Sequence, residues 1–332
     1  MTTAPSAPTM QAVVRDTYGS PDVLRFETIA RPTPGPDEVL VRVRASSLNR
    51  ADRYRLEGIP APIRLVSGLF KPRTRGLGMD FAGDVAAVGG RVTDLKPGDA
   101  VYGDASFGEM WAEYGCVSAS QVAPMPSNLT CEQAAAVPLS GTTALQGLRD
   151  FGRVTPGQSV LINGATGAVG TFAVQIARAL GADVTAVCSQ RNLQLVRELG
   201  AEHVIAYETE DYTACGRQFD VLFDVILNHT LRESCRVLKP GGVYLPVGGP
   251  EGRWLGPVAP LMAAMLQAPL VRPRVASFTA EANRADLEAL TALIEAGAVT
   301  PAIDRTFPLA EIADAMRYLV DGHPPSKVVI SM

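Results

Sequence analysis

Seven consecutive small residues, Gly164, Ala165, Thr166, Gly167, Ala168, Val169 and Gly170, carry the strongest chemical signal in the chain. They follow a β-branched run, Ser159–Asn163, and open a stretch with helical character, Val169–Leu180. Glycines let a backbone turn sharply and let a pyrophosphate approach its amides, while a helix N-terminus adds positive potential. A turn of small residues could also merely close a strand–helix corner, and Ala165 stands where the Gly-x-Gly-x-x-Gly pattern has its first glycine. The strand–turn–helix context favours dinucleotide binding.

The end of the next strand bears on which dinucleotide. An NAD site places Asp or Glu there, about 20 residues past the loop, to bind the ribose hydroxyls. Here the segment reads Val187-Cys-Ser-Gln-Arg-Asn192, without an acid. Ser189 can donate to a 2′-phosphate and Arg191 can pair with it. Tyr207, after the third strand, is a further candidate donor. The plainer alternatives are a helix cap for Ser189, a solvated side chain for Arg191 and a rim aromatic for Tyr207. NADP(H) is the expected cofactor.

Metal and disulfide chemistry have little to stand on. The five cysteines form no CxxC pair and are odd in number. His203, His229 and His323 are widely separated. No metal is expected.

The elements that must position this chemistry fall into two rhythms. Up to about residue 135 the chain reads as short strands (Gln11–Arg15, Val39–Ala45, Phe81–Val88) punctuated by Pro and Gly, with one helix at Asn49–Glu57 closed by Gly58. Beyond Ser140 strands and helices alternate: strands Asp183–Cys188, His203–Ala206, Val221–Val225 and Val243–Val247 interleave with helices Leu193–Leu199 and Leu231–Leu238. The stop for that last helix is read as Lys239-Pro-Gly-Gly242. Such alternation means a parallel sheet covered on both faces. After Pro257 the chain turns helical, at Leu261–Gln267, Ala285–Ala296 and Ala310–Val320, before a last strand, Lys327–Ser331.

Composition sets the outer bounds. Hydrophobic residues make up 47% and charged residues 19%, as in a globular chain, and 332 residues suggest about two domains. A net charge of −4 gives no electrostatic case for nucleic acid. Only four of the 30 basic residues are lysines. Residues 1–9 read as a disordered tail without signal-peptide character. The apolar stretch Pro257–Val271 is too short to span a bilayer. No membrane span is expected, and the location read from this is cytoplasmic.

Several longer motifs, in order, resemble the medium-chain dehydrogenase/reductase superfamily in its zinc-free quinone oxidoreductase branch. They are Ala45-Ser-Ser-Leu-Asn-Arg-Ala-Asp52, Gly78-Met-Asp-Phe-Ala-Gly83, Phe107-Gly-Glu-Met-Trp-Ala-Glu-Tyr114, Ala134-Ala-Ala-Val-Pro-Leu-Ser-Gly-Thr-Thr-Ala144, Pro156-Gly-Gln-Ser-Val-Leu-Ile-Asn-Gly164 and Lys327-Val-Val-Ile330. The resemblance covers residues 10 to 331 and implies an α/β fold: a Rossmann doubly wound parallel sheet plus a GroES-like β-rich domain. The β-rich domain would span 10–135, completed by about 275–332, and the Rossmann domain 136–274. A homodimer through the Rossmann sheet edge is implied, involving Val243–Val247 and Trp254–Val271; an internal core helix is the alternative for the latter.

Zinc-dependent relatives carry Cys at the position of Asn49 and Gly-His-Glu at Gly78-Met79-Asp80. Neither is present. Without a Lewis acid a conjugated acceptor is easier to reduce than an isolated ketone, because hydride addition leaves a delocalised anion. Asn49 and Tyr54 match the branch's Asn-x-x-Asp-x-Tyr spacing, which implies a cleft-facing helix. Asn49 could hold the acceptor oxygen or the nicotinamide ribose, and Tyr54 could donate to the developing anion. A helix cap and a packed aromatic are their alternatives. Thr143 matches a threonine near the nicotinamide carboxamide, and Val247, Gly248 and Gly249 would lie against the ring. Arg64, Lys71, Arg73 and Arg75 could form a basic rim or a solvated loop. The expected reaction is NADPH-dependent reduction of a quinone or activated C=C bond. A catalytically weak NADPH-binding scaffold and a zinc-free carbonyl reductase are the other readings.

Overall fold

The structure is a computed structural model that describes residues 8–106, 108–248, 262–263, 266–268 and 271–332. The chain opens with β1 (Thr9–Val14), β2 (Arg25–Ala30) and the long β3 (Glu38–Leu48), followed by α1 (Arg50–Glu57) and α2 (Ile63–Ser67). Strands β4 (Asp80–Val88), β5 (Ala100–Asp104), β6 (Tyr114–Ser118) and β7 (Val122–Pro124) lead to α3 (Cys131–Ala135) and α4 (Pro138–Gln146). Strand–helix alternation then runs β8 (Ser159–Asn163), α5 (Ala168–Ala179), β9 (Asp183–Cys188), α6 (Leu193–Glu198), β10 (His203–Ala206), β11 (Phe219–Asp224), α7 (Leu231–Arg236), β12 (Leu238–Pro246) and β13 (Arg274–Val275). The chain ends with α8 (Arg284–Glu295), β14 (Ile303–Pro308), α9 (Ile312–Asp321) and β15 (Lys327–Ser331).

Two sheets organise the molecule. One has six strands in the order β10-β9-β8-β11-β12-β13, every neighbouring pair parallel. The order reverses between β8 and β11, which makes the carboxyl ends of those strands the crevice where such sheets bind ligands. Strand β8 can sit at the centre because Val160, Leu161 and Ile162 are all fully buried, as a strand covered on both faces requires. The other sheet runs β14-β15-β3-β4-β5-β7, with β6 also on β3. Its closure depends on the C-terminal strand β15, which pairs antiparallel with β3, Val328 opposite Leu48 and Ile330 opposite Ser46. Helix α8 bridges toward the other half: the Tyr102 hydroxyl donates to the Leu287 carbonyl at 2.6 Å.

Three expectations need correction or fall outside the described residues. Lys239-Pro-Gly-Gly242 does not end a helix; it lies within β12, where Gly241 takes φ +82 and the pairing with β11 slips. Helix α7 stops earlier, at Arg236. The sheet edge is not Val243–Val247, because β13 covers β12, Arg274 opposite Val243. Gly249, most of Trp254–Val271 and residues 1–7 of the tail lie outside the described residues.

Candidate active site

The glycine-rich loop after β8 divides into residues that shape it and residues that face outward. Gly164 and Gly167 adopt φ +83 and +98, a region that disfavours other side chains. The Gly164 and Ala165 amides both donate to the Val187 carbonyl, at 3.2 and 3.0 Å, and Ala165 is fully buried. These two residues therefore build the turn and do not offer amides to a ligand. Gly170 is needed for packing, since a Cβ there would stand 2.0 Å from the Gly164 carbonyl oxygen. Thr166 through Val169 are half-buried. Ala168 and Val169 begin α5, where no earlier helical carbonyl claims their N–H groups, so they are the natural anion donors. The Gly167 amide donates to the Pro325 carbonyl at 2.7 Å, which ties the loop to the segment leading into β15.

Beyond β9 the polar groups are under-supplied. Ser189 is only 7% exposed, and its hydroxyl has no hydrogen-bond partner. It precedes a short 3-10 turn, Gln190–Asn192, without capping it. A buried, unpaired hydroxyl is costly unless something else satisfies it. Arg191 and Tyr207 are exposed beside it, at the ends of adjacent parallel strands. A 2′-phosphate fits this orphan hydroxyl and exposed cation.

The floor of the crevice is held by Asp224. Its Oδ1 accepts from Asn163 Nδ2 at 2.8 Å and from the Ile226 and Leu227 amides, and its Oδ2 accepts from the Tyr244 hydroxyl at 3.1 Å. Burial pushes its carboxyl above the ordinary range against these bonds. Val247 N donates to the Asp224 carbonyl. Gly248 is small because the end of the neighbouring strand crowds it: a Cβ would meet the Val225 carbonyl oxygen at 1.9 Å.

In the other half of the molecule, just after β3, Asn49 belongs to a buried ionic hub. It takes an extended conformation as N-cap of α1, and its backbone N–H donates to Asp52 Oδ2 at 3.0 Å. Its Nδ2 donates to Asp80 Oδ2 at 2.9 Å, and its Oδ1 accepts from Lys327 Nζ at 2.8 Å. Lys327 and Asp80 are ion-paired at 2.9 Å with both side chains at 0% exposure. Asp80 Oδ2 also accepts from Ser47 Oγ, and its Oδ1 accepts from the Leu139 amide in α4, each at 2.9 Å. One turn along α4, Thr143 Oγ1 donates to the Leu139 carbonyl at 2.6 Å. Its hydroxyl proton is thus committed inward, and toward a ligand Thr143 can act only as an acceptor. Asp80 consequently holds the start of α1 and the start of α4 together. Tyr54, on α1, is half-buried.

Other carboxyls near the hub are strained electrostatically. Burial pushes Asp52 up to about 6, and burial followed by the charge of Asp80 pushes Asp104 up to about 7. Arg15 is 1% exposed with Nε and Nη1 unpartnered, and burial lowers it to about 10. The basic segment Arg64–Arg75, which begins within α2, is not a uniform rim. Arg64 donates to the Gly58 carbonyl and Arg75 pairs with Asp16 and Glu27, while Lys71 and Arg73 are exposed.

Residues 35–127 match the model of the alcohol dehydrogenase GroES-like domain, and residues 199–330 match that of zinc-binding dehydrogenases. A chloroplastic quinone oxidoreductase of Triphysaria versicolor is 30% identical over 97% of this chain and 98% of its own length. An NADPH-dependent alkenal/one oxidoreductase of Arabidopsis thaliana, also chloroplastic, is 33% identical over 97% of this chain and 79% of its own. The solved quinone oxidoreductase of Coxiella burnetii superposes with a TM-score of 0.85 at 28% identity, covering 98% of this chain and 100% of that one. The chain belongs to the medium-chain dehydrogenase/reductase superfamily, in its zinc-free quinone oxidoreductase branch.

As a member of that branch it is an oxidoreductase that binds a nicotinamide cofactor. Where zinc-dependent members place ligands, this reductase has the hub: all four hydrogen bonds to the Asp80 carboxylate come from protein donors. Among the described residues no three His, Cys, Asp or Glu side chains converge as a ligand set. No described helix is long and apolar enough to cross a membrane. Sequence reading missed Asp80 and Lys327 as partners of Asn49. One signal was available: with only four lysines in an arginine-rich chain, a lysine heading a Val-Val-Ile strand is out of place unless it is paired.

Proposed function

We propose that this chain reduces quinones or activated C=C bonds of enones and enals with NADPH, without a metal. The observation that carries this reading is the shared grip of Asp80 on Asn49 and on the Leu139 amide, which brings a substrate-side donor and the helix of Thr143 to one place. The Ala168 and Val169 amides would hold the pyrophosphate. Ser189, Arg191 and Tyr207 would hold the 2′-phosphate; no acid follows β9 in sequence, and the nearby Glu208 carboxylate accepts from the Gln190 amide at 2.9 Å. Thr143 would accept from the carboxamide, with Val247 and Gly248 against the ring.

Bound NADPH supplies the hydride. The protein's part is to donate hydrogen bonds to the oxygen that gains charge, from Tyr54 Oη and from Asn49 Nδ2, where such donors are worth most out of water. A conjugated acceptor suits this arrangement because its anion is already delocalised. The proposal includes the domain limits 10–135 with 275–332 and 136–274, a homodimer, and a cytoplasmic location, which rest on resemblance and composition.

The test is an NADPH-oxidation screen over quinones, enones, enals and simple ketones, with Tyr54→Phe alongside wild type. Turnover on conjugated acceptors, and a fall of about tenfold or more in kcat for Tyr54→Phe at unchanged NADPH affinity, is expected. Turnover confined to simple ketones, or none with any acceptor, overturns the reading.

A further inference from the structure

We propose that Asp80 and Lys327 are a positioning pair that locks the Asn49 amide as a hydrogen-bond donor toward the reacting oxygen. The inference rests on the reading of Asn49 given above and deepens it.

An asparagine amide can be turned either way, and its two ends differ only in whether they donate or accept. Here charge decides. An ammonium only donates, so the Asn49 atom 2.8 Å from Lys327 Nζ must be the oxygen. A carboxylate only accepts, so the atom 2.9 Å from Asp80 Oδ2 must be the nitrogen. Flipping the ring of contacts would set oxygen against carboxylate and N–H against ammonium, inside a site where both charged side chains are at 0% exposure. Lys327 is itself held on three sides, by Asn49 Oδ1, Asp80 Oδ2 and, at 3.4 Å, the Leu48 carbonyl.

One consequence follows for the chemistry. Asn49 Nδ2 carries two hydrogens and Asp80 takes one, so the second is what Asn49 offers beyond the hub. Asn49 therefore donates, and an anionic oxygen meets an N–H in place of a lone pair. The same carboxylate fixes α4 through the Leu139 amide, so Thr143 and Asn49 are set in register by a single group. Lys327 and Asp80 touch neither substrate nor cofactor in this scheme; they act through Asn49.

Removing one ion alone would leave the other buried and unpaired, so the test replaces both, as Asp80→Asn with Lys327→Met. Folding is checked by thermal unfolding and NADPH binding by fluorescence titration. The expected result is a fall of about a hundredfold in kcat on a conjugated acceptor, with NADPH affinity within about twofold of wild type. In an Asn49→Ala background the same pair of changes should cost no more than about twofold further, because the group being positioned is gone. An equal loss in both backgrounds means a general structural role and overturns the proposal. A second pair, Asp80→Asn with Lys327→Gln, also leaves no lone buried ion but keeps an N–H donor toward Asn49, so it should fold where the Asn/Met pair does not and should lose less.

A readout independent of turnover separates this inference from the proposed function. The Asn49 side-chain amide, assigned by its disappearance in Asn49→Ala, should give two inequivalent protons by NMR, the one held by Asp80 protected from exchange. In either double variant its exchange should speed up by about tenfold or more. If wild type reduces nothing, the proposed function fails while the exchange still tests the lock. Unchanged exchange in a folded variant overturns the lock itself.

Discussion

Four protein donors converge on the Asp80 carboxylate, whereas the Ser189 hydroxyl, 7% exposed, has none. Both are buried polar groups at the carboxyl side of a strand or the start of one, and both lie near candidate site residues. The first is satisfied from within and ties down Asn49 and α4. The second is left short, next to an exposed arginine. A buried polar group complete within the protein positions its neighbours; one left incomplete in the protein is suited to bind something else. Mutations at the two places should therefore fail in different ways, folding at one and cofactor recognition at the other.

The largest effect is expected at the hub. Asp80→Ala leaves the Lys327 ammonium buried without its counter-ion and should cost about 3–5 kcal/mol in denaturant unfolding. A loss below about 1 kcal/mol would erase the contrast, since Asp80 would then be no more structural than an exposed residue.

The carboxyl beside the hub sharpens the comparison through pH. Asp104 binds protons more tightly when folded, its value pushed up to about 7 by burial and then by Asp80. Its contribution to stability is thus fully present below about pH 4 and is lost as pH rises through about 7. Asp104→Asn can still accept from the Ser106 amide, so it should stabilise the fold at pH 8 by on the order of 2 kcal/mol and change little at pH 4. Urea unfolding at the two pH values measures this. Equal effects at both would mean that burial and the Asp80 charge do not raise Asp104 in the folded state.

At the second place the expected changes are in binding. Arg191→Ala should weaken NADPH about tenfold, near 1.4 kcal/mol, and leave NADH almost untouched, because an exposed charge is partly screened. Titration of both cofactors decides it, and equal losses for the two would remove Arg191 from 2′-phosphate recognition. Ser189→Ala is the smallest effect and the most discriminating. It deletes an unpaired hydroxyl, so unfolding stability should hold or rise by up to about 1 kcal/mol, while NADPH binding weakens about fivefold. Loss of stability together with unchanged binding would place Ser189 with Asp80 as a structural group.

Reading along the chain recovered what depends on neighbours in sequence. Strands Ser159–Asn163, Asp183–Cys188, His203–Ala206 and Lys327–Ser331 stand as expected, because a run of apolar or β-branched residues between turn formers is a local pattern. Gly58 ends α1 in the left-handed region with φ 63, again a local matter. Lys239-Pro-Gly-Gly242 misled for the opposite reason. Its turn-forming residues read as a helix stop, yet pairing with β11 carries them into a strand. Tertiary hydrogen bonding overrode a local preference there.

Neighbouring residues alone made legible the glycine-rich turn, the parallel sheet that must carry it, and the missing acid after β9, since each is written in residues a few positions apart. The sequence also named Asn49, as a holder of the acceptor oxygen or the nicotinamide ribose, and Gly164, as part of the pyrophosphate turn, without the contacts that fix either. Long-range packing is what directs the Gly164 and Ala165 amides to the Val187 carbonyl, keeps Gly248 small because the Val225 backbone lies against it, and makes Asn49 a donor. The last depends on Lys327 and Asp80, which are 247 positions apart and meet because β15 pairs with β3 beside β4. Whether a buried amide gives or accepts a proton is set by the charges folded against it, and those charges come from the far end of the chain.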